Sequence, residues 1–318
     1  MNNYQKPSKN HWTGRVSNNQ LYLHEKIQCL DLENDSFPKS SKKRVALLGY
    51  ACDEGVKRNF GRVGAAEAPN IVRKMMAPLS NHFTNEEVFF DVGNILCPSG
   101  NLEETQKDTT HCIAFLLENH CFPVVIGGGH DLAYAHFKGI QNKIGEKKIG
   151  IINFDAHFDL RKVTDTANSG TPFYQIAKET DNLQYLCLGI QKESNNQELY
   201  QTAHQLGVTY LENTNFNINN KEEVVSLVEN FIADIDCIYL TIDLDGFASH
   251  YAPGVSAPSP FGFSIDIALE IIRLICQSNK LISVDVVELN PKYDIDQRTA
   301  RLAARIIYNI IDWKINAD

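Results

Sequence analysis

The 318-residue sequence has no apolar run approaching the roughly 20 residues that a membrane-spanning helix requires. Its start, MNNYQKPSKNHWTGRVSNNQ, is polar and lacks the apolar core of a secretory signal. It has no Lys/Arg run or basic stripe, and 39 acidic against 30 basic residues leave a net charge of −9, which speaks against a nucleic-acid partner. None of its eight cysteines forms a CxxC pair, and several, such as Cys237 and Cys276, sit in apolar runs. They read as reduced, mostly buried small hydrophobes, not as a sulfur-based metal site. Internal repeats, low-complexity tracts and linkers are also missing. The expectation is a cytoplasmic enzyme with one domain over 1–318, in which 1–40 is a weakly patterned N-terminal extension packed on or near it.

What is present is an alternation. Val/Ile/Leu-rich runs at 44–50, 87–90, 123–126, 148–154, 185–190, 208–211, 237–245 and 281–289 read as strands. Helical patterns lie between several of them, at about 68–79, 103–119, 132–141, 195–206, 220–233 and 264–277, with a last one over 296–315. Strands this apolar, separated by helices, predict an α/β fold with a parallel sheet covered on both faces.

The charged residues fall at the C-terminal ends of the strand runs. His130 follows PVVIGGG; Asp155, His157 and Asp159 follow GIINF; Asp243 and Asp245 follow IYLTI; Glu288 follows SVDVV. Ligands of open α/β sheets bind at that edge. An isolated ionised carboxylate there would be costly or would protonate, so a positive partner is expected. Taken singly, each motif has a plain structural reading: DxHxD as a salt-bridged turn, GGGHD as a tight turn with Asp131 as helix cap. Together they supply four carboxylates and two imidazoles, His130, Asp155, His157, Asp159, Asp243 and Asp245. This oxygen-rich set suits Mn²⁺, with zinc or iron as alternatives. Six ligands are more than one catalytic ion takes from a protein and suit a pair of ions about 3.5–4 Å apart.

In order and wording, GGGHD (127–131), DAHFD (155–159), SGTPF (169–173), DLDGF (243–247), YAPGVSAP (251–258) and DVVELNP (285–291) resemble the ureohydrolase family of arginases, agmatinases and formimidoylglutamases. GRVGAAEAPNIVRKM (61–75) is similar to the family's early loop and helix, so the likeness spans nearly the whole chain. It implies an arginase-like three-layer α/β/α fold with a central parallel sheet of about eight strands, and a trimer or hexamer. It also implies two Mn²⁺ per chain. One ion would be held by His130, Asp155, Asp159 and Asp243, the other by Asp155, His157, Asp243 and Asp245. By the same likeness Asp159 handles the nucleophile's proton and Glu288 holds the cationic nitrogen end of a guanidino or formimino substrate.

The departures sort the family's members. Arginases have a histidine where this chain has Ser169, next to Gly170. SGTPF, DAHFDLR and the early HWTGR (11–15) resemble formimidoylglutamases instead. The implied reaction is hydrolysis of N-formimidoyl-L-glutamate to L-glutamate and formamide, a step of histidine breakdown. The alternatives are another amidinohydrolase, such as agmatinase or guanidinobutyrase, and a catalytically silent binding protein. An acidic substrate needs cationic or polar anchors. Arg161 is the first candidate, with a salt bridge to a neighbouring acid as its plain reading. Arg58, Asn59 and Arg62 in the early glycine-rich loop are weaker candidates, and Ser169 and Ser256, the latter with a simple turn as its plain reading, complete the set.

Overall fold

The computed structural model describes residues 2–38, 42–84, 86–181 and 183–317. Of the expected N-terminal extension, residues 1, 39 and 40 lie outside the described residues. The sheet holds ten strands: β1 (Tyr4–Gln5), β2 (Gln28–Cys29), β3 (Lys43–Ala51), β4 (Glu87–Leu96), β5 (Cys121–Ile126), β6 (Ile149–Phe154), β7 (Gln184–Ile190), β8 (Thr209–Glu212), β9 (Cys237–Asp243) and β10 (Leu281–Val287). Their order is β1-β4-β3-β5-β10-β9-β6-β7-β8, with β2 also on β4, and every pairing is parallel except β1 with β4.

Alternation along each strand splits the core in two. Val45 and Leu47 of β3 and Ile152 and Phe154 of β6 pack on one face, while Ala46, Leu48 and Ile151 pack on the other. The first face is covered by α3 (Ala68–Met76), α8 (Lys221–Ala233), α9 (Ile265–Gln277) and α10 (Arg298–Ile315). The second carries α4 (Leu102–Glu118), α5 (Leu132–Ile144), α6 (Pro172–Glu179) and α7 (Gln197–Gln205). Two short helices, α1 (Leu23–Lys26) and α2 (Glu54–Arg58), complete the set among the described residues. The expected three layers are present.

The strand count departs from the expected eight. The eight predicted runs are the eight longer strands, and the two additional ones, β1 and β2, are two-residue pieces of the first 40 residues. Backbone pairing to β4 makes them strands, not an apolar run, so no pattern announces them. β4 is also longer than the predicted 87–90. Its second half contains Asp91, Gly93 and Asn94, buried around the guanidinium of Arg73 from α3, which bonds Asp91 (2.8 Å), Asn94 Oδ1 (2.6 Å) and the Gly93 carbonyl (2.7 Å). That polar network interrupts the hydrophobic signal without interrupting the strand. The short helices α1, α2 and α6 likewise carry too little apolar periodicity to be read from the sequence.

The consequence for function is the adjacency of β5, β10, β9 and β6 in the middle of the sheet. β1 to β4 lie on one side of β5 and β7 and β8 on the far side of β6, while β9 and β10 return to fill the space between β5 and β6. The C-terminal ends of these four strands therefore meet where the winding reverses, the place where α/β sheets open a crevice.

Candidate metal centre

Each of the four central strands delivers its acid or imidazole through a short, tight exit. β5 leaves through Gly127–Gly129. A Cβ on Gly128 would lie 1.8 Å from the Cys52 carbonyl oxygen, so only glycine lets the turn lie against β3. The turn is held by Gly129 N–H on Cys52 O (3.0 Å) and sets His130 just before α5. The His130 N–H donates to Glu288 Oε1 (2.8 Å), tying the ends of β5 and β10 together. Asp155 follows β6 directly, and its Oδ1 accepts the His157 N–H (2.7 Å). Asp243 ends β9, and its Oδ1 accepts the Asp245 N–H (2.8 Å). In both DxH and DxD the first carboxylate folds the exit so that the residue two places on turns back toward it.

His130 Nδ1 then lies 3.2 Å from Asp155 Oδ2, 3.0 Å from Asp159 Oδ2 and 3.1 Å from Asp243 Oδ2. His157 Nδ1 lies 3.5 Å from Asp155 Oδ1 and 3.3 Å from Asp245 Oδ2. Two donor sets result, His130–Asp155–Asp159–Asp243 and Asp155–His157–Asp245, with the donor atoms of each within 4.8 Å of one another. Asp155 turns one oxygen to each set, as a bridging ligand would. Asp243 enters the first set only, and its other oxygen accepts the Asp245 N–H.

The cluster fits cations better than hydrogen bonds. His130 Nδ1, ringed by three carboxylates, makes no hydrogen bond of acceptable geometry, and the buried Asp245 Oδ1 has no partner either. Orphaned buried polar atoms are costly, and a cation within each set would satisfy them. The titration behaviour of the bare cluster says the same. Burial disfavours a charged His130 ring, yet Asp155, Asp159 and Asp243 outweigh burial and hold its pKa well above the ordinary value. Burial, then Asp245 and Asp155, push Asp243 well up; burial, then Asp155, raise Asp159. Burial, then Asp245, push Glu288 up to about 8. So many acids at one strand edge must either take up protons or hold metal, and dications reverse this logic by stabilising the ionised forms. The donor set, all oxygen and imidazole, suits manganese.

Asp159 and Glu288 share a further feature, a left-handed backbone with φ of 48° and 67°. Such conformations cost a non-glycine residue roughly 1–3 kcal/mol and persist where surrounding structure enforces them. Here they aim both carboxylates into one cavity of about 330 Å³.

That cavity is lined by His157, Asp159, Asp243, Asp245 and Glu288 at its acidic end and by Asn59, Arg62, Arg161, Ser169 and Ser256 elsewhere. His130 and Asp155 are buried behind the acidic end. The substrate-contact candidates differ in how occupied they are. Arg62 donates from Nε to the Ser256 carbonyl (2.9 Å) and from Nη2 to the Val255 carbonyl, and stacks 4.0 Å over Tyr293. Arg58 is bound to Glu103 (2.6 Å) and the carbonyls of Ala167 and Gly100, and lies outside the cavity. Asn59 Nδ2 donates to Ser169 Oγ (3.1 Å), and Ser256 Oγ accepts the Arg62 N–H (2.9 Å). The exposed Arg161 guanidinium has no hydrogen-bond or ion-pair partner among the described residues, so the plain salt-bridge reading finds no acid to support it.

Asn195 was missed. Its Oδ1 accepts the Phe158 N–H (3.0 Å) and its Nδ2 donates to the carbonyls of Ala156 (2.9 Å) and Gln191 (2.7 Å). It thereby clamps the loop carrying His157 and Asp159. Its position just beyond β7, at the same sheet edge, was the available signal.

The model of the arginase family matches residues 43–312. The chain is 40% identical over 306 residues to a formimidoylglutamase of Geobacillus sp. (strain WCH70), covering 95% of this chain and 94% of that protein. It is 39% identical over 324 residues to a formimidoylglutamase of Clostridium tetani, covering 98% and 96%. Among solved structures, the formimidoylglutamase of Bacillus subtilis superposes with a TM-score of 0.82 at 21% identity, over 96% of this chain and 95% of that one. Trypanosoma cruzi formiminoglutamase with Mn²⁺ gives 0.79 at 23% identity, over 88% and 97%.

Proposed function

The chain belongs to the arginase family, and from that premise we propose that it hydrolyses N-formimidoyl-L-glutamate to L-glutamate and formamide with two manganese ions bound. The observation that carries the choice of substrate is the polarity of the cavity. Five acids and imidazoles lie at one end, and Arg161, whose guanidinium has no partner among the described residues, lies at its exposed edge. A molecule with a cationic amidine head and a dicarboxylate tail matches both ends.

His130, Asp155, Asp159 and Asp243 would hold one ion. Asp155, His157 and Asp245 would hold the other, with Asp243 joining if its Oδ1 exchanges the Asp245 N–H for the cation. When bound, such a pair lowers the pKa of a water held between the ions, providing a nucleophile near neutral pH. The chain's own groups supply the rest. Glu288 orients the planar amidinium by a charge-assisted contact, so that the formimino carbon faces the cradle. Asp159, held beside His130, takes one proton of the water at attack and the second as the carbonyl forms, and passes both to the departing nitrogen, which leaves as an ammonium group. The water oxygen becomes the carbonyl oxygen of formamide, the bond from carbon to the α-nitrogen breaks, and that nitrogen becomes the ammonium group of glutamate. Arg161, Asn59 and Ser169 receive the carboxylate end, while Arg62 and Ser256 hold the loop 59–62 in place over the cavity. We further propose a cytoplasmic homo-oligomer, trimer or hexamer, acting in histidine breakdown. Among the described residues no helix is long and apolar enough to cross a membrane.

The test is a substrate panel on manganese-loaded protein. Formamide release from formimidoyl-glutamate is expected. Urea release from agmatine, guanidinobutyrate or arginine, with formimidoyl-glutamate untouched, would mean that the substrate is wrong. Fewer than one bound ion per chain after loading would remove the metal centre itself.

A further inference from the structure

Behind His130, away from the cavity, lies a fully buried polar chain that the proposed reaction does not use. It comprises Tyr239 and Thr241 on β9, Ser283 and Asp285 on β10 and His136 on α5. Asp285 and Thr241 are direct neighbours in the β9–β10 register, so their contact is built into the sheet. The Thr241 hydroxyl donates to Asp285 Oδ1 (2.5 Å), and the Tyr239 hydroxyl donates to Asp285 Oδ2 (2.5 Å). His136 Nδ1 lies 2.6 Å from the same Oδ2, and its Nε2 lies 2.6 Å from Ser283 Oγ. Ser283 in turn donates to the Pro123 carbonyl (3.1 Å). At the other end, Thr241 Oγ1 is 3.0 Å from His130 Nε2.

The proton inventory sets a direction along this chain. An ionised carboxylate only accepts, so the single Thr241 proton is directed at Asp285 and the Thr241 oxygen is left to accept. Its neighbour His130 must then carry hydrogen on Nε2. In the neutral ring that a metal ligand requires, Nδ1, the ring atom among Asp155, Asp159 and Asp243, is then the nitrogen left with a lone pair. His157 has no comparable backing: its side chain is 26% exposed, and no hydrogen bond to its Nε2 is present among the described residues.

We propose that Asp285 is a positioning residue which, through Thr241, fixes the tautomer and ring orientation of His130 and so makes the His130 set the tighter of the two cation sites, with His136 and Tyr239 holding the carboxylate. The proposal rests on the two-cation reading of the cradle. Groups of this kind behind a ligating histidine typically change metal affinity 10–100-fold when removed.

The experiment is a Mn²⁺ titration of the metal-stripped full-length protein, following free Mn²⁺ by electron paramagnetic resonance and heat by calorimetry. It is run on wild type, Asp285→Asn, Thr241→Val and Thr241→Ser. Wild type is expected to bind two ions in separable steps. Asp285→Asn and Thr241→Val should raise the Kd of the tighter step roughly 10–100-fold and leave the weaker step in place. Thr241→Ser, which keeps the hydroxyl, should restore the tight step, and ¹⁵N NMR of wild type loaded with diamagnetic Zn²⁺ should show His130 carrying its hydrogen on Nε2. If Asp285→Asn does not fold, the two Thr241 variants decide. Two ions bound by wild type with both steps unmoved in Thr241→Val, or both steps weakened equally with no recovery in Thr241→Ser, would overturn the proposal. A wild-type protein that binds no Mn²⁺ would instead remove the two-cation reading, and this inference with it.

Discussion

Replacing Arg161 by alanine tests the polarity of the cavity directly. A charge-assisted hydrogen bond is worth about 1.5–3 kcal/mol, but Arg161 is exposed, and solvent lowers the figure to roughly 1–2 kcal/mol. At 1.4 kcal/mol per factor of ten this corresponds to a rise in KM of about 5- to 30-fold, with kcat little changed because the contact is far from the reacting carbon. Gly170 supplies an independent handle. A Cβ there would meet Arg161 Cδ at 2.9 Å, Arg161 Nε at 3.2 Å and Asn59 Nδ2 at 3.3 Å. The Arg161 stem can move aside, so Gly170→Ala should fold, but the guanidinium is displaced. An off-rotamer cost of roughly 0.5–1 kcal/mol predicts a two- to five-fold rise in KM. Because the closest contacts of the new Cβ are with Arg161, most of the effect of Gly170→Ala should be lost in an Arg161→Ala background, leaving only what the Asn59 contact carries. The assay is initial-rate glutamate formation, compared with an analogue whose carboxylates are converted to amides. Equal losses on the acid and the amide analogue, or an unchanged KM, would refute Arg161 as a carboxylate anchor.

Two further outcomes concern groups outside the cavity. Asp91→Ala removes the partner of the buried Arg73 and of the Trp12 indole N–H (2.8 Å), and should destabilise the protein by about 3–5 kcal/mol in urea unfolding. Little change would mean that Gly93 O and Asn94 satisfy Arg73 alone. Cys97, half-buried beside Cys52 where β3 and β4 end in register, has its thiol pKa lowered, chiefly by the hydrogen bond from Cys52. Its thiolate therefore persists as pH falls below the ordinary thiol value of about 8.5. Iodoacetamide mapping by mass spectrometry at pH 7 should label Cys97 ahead of the other cysteines; uniform labelling would contradict it.

The acids at the strand ends were legible because a buried apolar run followed by charge has few physical explanations. The layers were legible because strand and helix periods are local. Contacts made at long sequence range left no such trace. Asp285 sits in the unremarkable run SVDVV, yet its partners are 46 residues away at Tyr239 and 149 away at His136. The Asp91–Arg73 network truncated the predicted β4 for the same reason: polar residues read as a strand's end unless the helix that buries them is known. Arg62 and Arg161 show the limit from the other side. Both are arginines near glycine-rich motifs, and only the fold shows one bound to backbone carbonyls and the other without a partner among the described residues.

Charge complementarity places the last constraint on the site. Asp155, Asp159, Asp243, Asp245 and Glu288 together supply five negative charges when ionised, and among the described residues no lysine or arginine is paired with any of them. Two dications neutralise four. The remaining charge matches one amidinium, and Glu288 is the acid outside both donor sets. Glu288→Gln isolates that charge, because a glutamine oxygen can still accept the His130 N–H that Glu288 now accepts at 2.8 Å. The cradle should then keep its two Mn²⁺, while kcat/KM falls about 10- to 100-fold through loss of the charge-assisted contact, taken as roughly 1.5–3 kcal/mol. Metal content by elemental analysis and kinetics on the same preparation separate the outcomes. Loss of manganese would make Glu288 a support of the metal site, and unchanged kinetics would leave the substrate's cationic head without its proposed partner.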